Sequence, residues 1–122
     1  MNKSGTGVRA IIDYFSIPPG NTCIIHDDLE TPFGTLAFSQ GGGTGGHNGL
    51  KSIKQHIGTD FFRLKIGISR PAKGSVSSYV LSRFTQDEEA GLPRIIDSAA
   101  DTLEELLSGN ITTAQWKKQV LS

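Results

Sequence analysis

Three short stretches of this 122-residue chain combine residue types that can do chemistry. The richest is GGGTGGHNG at 41–49, where glycines surround the pair His47-Asn48. Glycines admit positive φ and let a ligand approach the backbone closely. A strand, a glycine loop and a helix start in that order leave free N–H groups pointing outward, a common anion site. The run matches neither GxGxxG with a later acidic residue nor GxxxxGK[ST], so a nucleotide cofactor is a poor reading. A backbone cradle for a phosphate or a polar ester stays open, beside the plainer reading of a flexible connector. A connector has no need of His47 and Asn48.

The second stretch is His26-Asp27-Asp28, at the end of an apolar run. Open α/β sheets place ligands at the C-terminal ends of their strands. An aspartate there can orient an imidazole and stabilise its charged form. Either aspartate could equally be a turn former. No further ligands at metal-binding spacing accompany them, and no metal is expected. The third stretch, Met1–Gly5, contains Asn2, whose amide offers one acceptor and two donors for an amide or a ribose hydroxyl. Read alone, it is a polar start and a helix cap.

The elements that must position these groups alternate between helix and strand. Ser4 is placed to cap a first helix carrying Val8, Ile11, Ile12 and Phe15 as one apolar stripe, ended by Pro18-Pro19-Gly20. Thr22–His26 reads as a short buried strand, and Leu36 and Phe38 mark a second. A helix with Leu50, Ile53 and Ile57 follows the glycine loop, stopped by Gly58. Phe62, Leu64, Ile66 and Ile68 alternate with Arg63, Lys65, Gly67 and Ser69, a half-buried strand. Residues 75–83 read as a helical turn. Gln86–Ser108 reads as a long helix with Pro93 in its first turns, where a late start or a kink is expected. Asn110 can cap a last helix containing Ile111, Trp116 and Val120. The class is therefore α/β, one domain, with a mixed sheet. Three strands are few for a helix-covered sheet, which points to one or two missing at the N-terminus.

Composition narrows the function classes. A hydrophobic fraction of 36% and 122 residues suffice for one core without staples. The single cysteine, Cys23, cannot form an internal disulfide and reads as a small buried hydrophobe. No apolar run approaches the ~20 residues a membrane helix requires. The net charge is +0, yet charge is segregated. Lys51, Lys54, Arg63, Lys65, Arg70, Lys73 and Arg83 lie in 51–83 against Asp60 alone, and 84–109 is as strongly acidic. The basic stretch can attract phosphates, or it is an ordinary solvated face.

Taken together, MNKSG at 1–5, HDDLETPFG at 26–34, GGGTGGHNGLKSI at 41–53 and FRLKIGISRP at 62–71, followed by YVLSRF at 79–84, resemble the bacterial-type peptidyl-tRNA hydrolases, a family with organellar members. The resemblance covers essentially the whole chain. It implies a single α/β domain with a mixed twisted sheet and no cofactor. It implies hydrolysis of the ester joining a peptide to tRNA, which recycles tRNA from aborted translation. The implied enzyme is a cytoplasmic monomer, or a mitochondrial or plastid one if a transit peptide precedes it.

Residue by residue, the resemblance makes Asn2 a substrate contact near the catalytic base and Asp27 the group that orients that base. Asn48 becomes a contact to the tRNA end or the peptide, with His47 and Gly46 beside it in the loop. Arg63 and Lys65 are the cations expected to meet tRNA phosphates, since Ser39-Gln40 offers none before the loop. The chain departs from the family at its start. Relatives carry a strand, a GLGNPG-type loop and a TRHN-type segment with the catalytic histidine ahead of MNxSG. None of His26, His47 and His56 sits at that histidine's position. The expectation is an N-terminally truncated domain over 1–122 that does not cleave its substrate alone. The alternative is a non-catalytic RNA-binding module.

Overall fold

The computed structural model describes residues 3–71, 74–109 and 115–121, apart from the side chains of Ser77 and Leu81. Chain order is α1 (Ser4–Phe15), a 3-10 turn (Pro19–Asn21), β1 (Cys23–Asp28), β2 (Thr35–Gln40), α2 (Asn48–Ile57), β3 (Phe62–Gly67), α3 (Val76–Leu81), α4 (Gln86–Ser108) and β4 (Trp116–Gln119). The strands form one sheet in the order β1-β3-β2-β4. β1 runs parallel to β3, while β2 is antiparallel to both β3 and β4. The expected mixed α/β sheet is therefore present.

Alternation along β3 divides the core between the two faces of the sheet. Leu64, Leu36 and Phe38 pack with Ile95 and Ala99 of α4. On the other face Leu50, Ile53 and Phe61 pack with Val8, Ile24 and Ile57. Leu64 and Leu36 are both 0% exposed. Truncating either to alanine would remove ~2–5 kcal/mol of stability. α4 holds the expected bounds because Thr85 and Glu88 form a reciprocal capping box and Gly109 ends it in the left-handed conformation. The helix continues through Pro93 without a late start.

α1 docks on α2 through Gly5, whose N–H donates to Ser52 Oγ at 2.9 Å. A Cβ on Gly5 would lie 2.1 Å from the Ser52 carbonyl oxygen, so only glycine permits this approach. Ser4 is the first helical residue, with Lys3 at the cap position. Only part of the expected apolar stripe is used. Ile12 is buried and Val8 packs on the core, but Ile11 and Phe15 are exposed.

Two further expectations give way. Trp116–Gln119 is a strand and not part of a helix. It pairs along β2, and the Trp116 ring stacks 5.5 Å from Phe38. The open edge of β2 needed backbone partners, and that demand outweighed local helix spacing. Asn110 and Ile111 lie outside the described residues. Cys23 is exposed, not buried, because β1 is the outer strand of the sheet. No helix among the described residues is long and apolar enough to cross a membrane.

Candidate functional site

The C-terminal end of β1 carries the HDD segment, and the loop behind it is clamped to the end of β3. Asp28 accepts the Thr31 hydroxyl, and Thr31 is 3% exposed. Ser69, at φ 61, donates its N–H to the Thr31 carbonyl at 3.1 Å and accepts the Phe33 N–H on its hydroxyl at 2.9 Å. Asp28 is thus the turn former, as one reading of the segment allowed. Both aspartates line the cleft, and Asp27 is the one not tied up in that turn.

The opposite wall is the glycine loop. Positive φ at Gly41, Gly42, Gly45 and Gly46 bends the chain between β2 and α2. His47 closes the loop as the N-cap of α2. Its Nδ1 accepts the Leu50 N–H at 3.2 Å. Its Nε2 lies 2.7 Å from Asp27 Oδ1. An acceptor Nδ1 leaves the ring proton on Nε2, which donates to the carboxylate. Both ring nitrogens are therefore engaged. Asp27 Oδ2 has no hydrogen-bond partner among the described residues, and the Asp27 side chain is 40% exposed.

His26 stands edge-on to His47, with centroids 5.3 Å apart. Its Nδ1 lies 2.8 Å from the Asp27 carbonyl oxygen, which can only accept, so Nδ1 carries the proton. Nε2 is then an unprotonated acceptor, buried and without a partner among the described residues. Burial is the main influence pulling the His26 pKa below the usual 6.5, with His47 and Arg63 adding to it. His56 lies elsewhere: its Nδ1 bonds the Ser52 carbonyl at 2.8 Å, against α1.

Between the two walls lies a cleft of about 660 Å³, lined among others by Asp27, Gly46, His47 and Asn48. Nothing in the spacing pointed to two further features of it. Arg70 Nε donates to Glu30 Oε1 at 2.7 Å at the rim. Val76 and Val80, one turn apart on α3, give an apolar patch. Among the described residues no cluster of three or more histidine, cysteine or acidic side chains could hold a metal.

The cations expected to meet phosphates are placed differently. Arg63 is 2% exposed, and its guanidinium donates to the carbonyls of Gly42 and Gly43 from beneath the loop. It is not offered to a phosphate. Lys65 is half-buried, in register with His26 on one side and Ala37 on the other, and is not among the cleft-lining residues. Asn2 lies outside the described residues.

Comparison with known proteins gives a consistent picture. A family model described as "Peptidyl-tRNA hydrolase" matches residues 1–120. The peptidyl-tRNA hydrolase of Sulfurimonas denitrificans is 46% identical over 112 residues, 91% of this chain and 60% of that protein. That of Aliarcobacter butzleri is 45% identical over 118 residues, 96% of this chain and 64% of that protein. The crystal structure of peptidyl-tRNA hydrolase from Acinetobacter baumannii superposes with a TM-score of 0.82 at 38% identity, covering 90% of this chain and 57% of that one. The chain thus spans about 60% of the length of the curated relatives it matches.

Proposed function

The chain belongs to the peptidyl-tRNA hydrolase family, and we propose that its cleft binds the ester junction of a peptidyl-tRNA for hydrolysis, a reaction that recycles tRNA from aborted translation. One observation carries this reading. Asp27 faces a cleft whose other wall is the glycine loop and Asn48. In this reading the carboxylate orients an imidazole that takes a proton from the attacking water. Asn48 and the amides near Gly46 hold the substrate, and Asn2 is a further substrate contact in this reading. Lys65 and the exposed basic residues of 51–83 meet tRNA phosphates, as contacts that position the nucleic acid and do not read its sequence. The site of action is the cytoplasm, and the working unit is a monomer.

A second reading has its own observation. Each histidine here is committed. His47 uses both ring nitrogens, His26 buries its free one, and His56 faces the α1–α2 junction. None offers an accessible acceptor nitrogen for a water proton, so the chain by itself binds tRNA without cleaving it. Incubation of the protein with N-acetyl-aminoacyl-tRNA separates the two readings. The expected result is salt-sensitive binding with no released tRNA. Ester cleavage by this chain would reverse the exclusion of its histidines. Absence of any binding would remove the tRNA reading altogether.

A further inference from the structure

Arg63 is an expensive residue to bury. Its guanidinium has no carboxylate within ion-pair distance among the described residues. Desolvation lowers its pKa, and Nε has no hydrogen-bond partner among the described residues. An unpaired buried cation is costly enough that an apolar side chain of similar volume would serve better if filling space were the only need. The compensation present is specific. The guanidinium carbon sits 4.9 Å over the Phe61 ring, a cation–π contact. The two terminal nitrogens donate to consecutive carbonyls of the glycine loop, Gly43 and Gly42, the latter at 2.8 Å.

Two carbonyls held this way fix two peptide planes. The peptides are trans, so the N–H of each unit points opposite to its carbonyl. With the Gly42 and Gly43 oxygens drawn toward Arg63, the N–H groups of Gly43 and Thr44 point away from it. The Thr44 carbonyl is turned back in the same manner by the His47 N–H at 3.0 Å, which directs the Gly45 N–H outward too. Thr44 and Gly45 both line the cleft. Glycines at positive φ would otherwise sample many orientations of these planes.

We propose that Arg63 is a positioning residue: by holding the Gly42 and Gly43 carbonyls it fixes the two peptide planes that follow, so that the amide of Thr44, which lines the cleft, is a ready donor for an acceptor oxygen of the substrate. The role rests on the hydrolase reading for the identity of that substrate. The geometry of the loop does not.

The test therefore has one arm that needs no tRNA. In the unaltered, isotope-labelled protein, couplings across the hydrogen bonds should link the Arg63 terminal nitrogens to the Gly42 and Gly43 carbonyl carbons. Arg63→Met keeps length and apolar bulk but has no donors. It should shift the Gly43 and Thr44 amide resonances and raise the midpoint at which His26 titrates. Arg63→Lys should restore the His26 midpoint, because the charge returns, while leaving the two amides displaced. In the second arm, Arg63→Met should weaken binding of N-acetyl-aminoacyl-tRNA tenfold or more, and Arg63→Lys should recover only part of that. Unchanged loop amides in Arg63→Met, or no couplings in the unaltered protein, would overturn the proposal. If Arg63→Met does not fold, the couplings and Arg63→Lys decide by themselves. If the unaltered protein ignores the tRNA while the couplings appear, the functional reading fails and the role of Arg63 in the loop stands.

Discussion

His47 is the hinge between the two walls of the cleft, and its removal can be worked out from the two bonds it makes. Loss of an N-cap side chain costs ~1 kcal/mol, within a range of about 0.5–2. The second bond joins Nε2 to the Asp27 carboxylate. A fully buried bond to a charged group would contribute ~1.5–3 kcal/mol. Here the His47 and Asp27 side chains are 26% and 40% exposed. Solvent screening reduces the contribution to ~0.5–1 kcal/mol. His47→Ala should therefore lose ~1.5–2 kcal/mol in total, which in a domain of this size lowers Tm by ~5–10 °C. His47→Asn separates the two terms. Asparagine is among the best N-caps, but its side chain is too short to hold the cap and reach Asp27 together. It should lose only the bridge, ~0.5–1 kcal/mol and ~2–5 °C. Far-UV circular dichroism melts at constant pH provide the numbers. A double-mutant cycle with Asp27→Ala, which removes the acceptor, isolates the bridge, since the two sites are in direct contact. The reasoning is wrong if His47→Ala melts with the unaltered protein, or if His47→Asn is as unstable as His47→Ala.

Four other outcomes are expected. Asp27→Asn should leave affinity for N-acetyl-aminoacyl-tRNA unchanged in a titration, because in the proposed role the carboxylate orients a base and does not hold the ligand; a clear loss of affinity would reassign it to substrate binding. Asn48→Ala should weaken the same binding by about fivefold, the equivalent of one lost hydrogen bond of ~1 kcal/mol, and an unaltered Kd would return Asn48 to a purely helical role. Gly5→Ala should destabilise the fold by ~1–3 kcal/mol in a urea melt, since the added carbon meets the Ser52 backbone at 2.1 Å and α1 must lift from α2. His26, faced by His47, Arg63 and Asp28 with the Asp27 carbonyl on its Nδ1, binds its proton less readily folded than unfolded. The unfolded chain therefore holds more protons just below pH 6.5, and stability falls as pH drops from 6.5 through the depressed folded value. His26→Gln should flatten that part of the stability profile, and a profile of unchanged slope would place the titration elsewhere.

What could be read in advance divides by the range of the forces involved. β3 announced itself because its alternation is local, with one residue for each face of the sheet. α4 was legible in its bounds from its apolar stripe and Gly109, but the late start expected from Pro93 did not occur, because the Thr85–Glu88 capping box fixes the helix start ahead of it. The segment around Trp116 was misread, because a four-residue spacing to Val120 fits a helix, and only the β2 edge and the Phe38 ring make a strand preferable. Cys23 was misread for a related reason. Its β-branched and apolar neighbours suit a central strand, but β1 stands at the side of the sheet. Neither fact is encoded within a few residues of the element concerned. At the site, the meeting of Asp27 with the His47-Asn48 turn was implied by the motifs. The fate of Arg63 was not. Its bonds to Gly42 and Gly43 span about twenty residues and depend on which face of β3 lies under the loop.

The three histidines show why residue type leaves chemistry undecided until hydrogen bonds are counted. An imidazole in a cleft beside a carboxylate has the parts of a general-base pair, and His47 with Asp27 has them at 2.7 Å. A base must also present an unprotonated nitrogen to water. In His47 that nitrogen is Nδ1, and the Leu50 amide already occupies it as the first bond of α2. To accept a proton there, His47 would have to release its cap and open the helix end that presents Asn48. Catalysis by His47 would thus dismantle one wall of the cleft. The same contact that makes His47 a good hinge disqualifies it as a base, while Asp27 Oδ2 has no hydrogen-bond partner among the described residues. In the proposed reading the cleft therefore orients a proton acceptor and does not itself supply one from these three histidines.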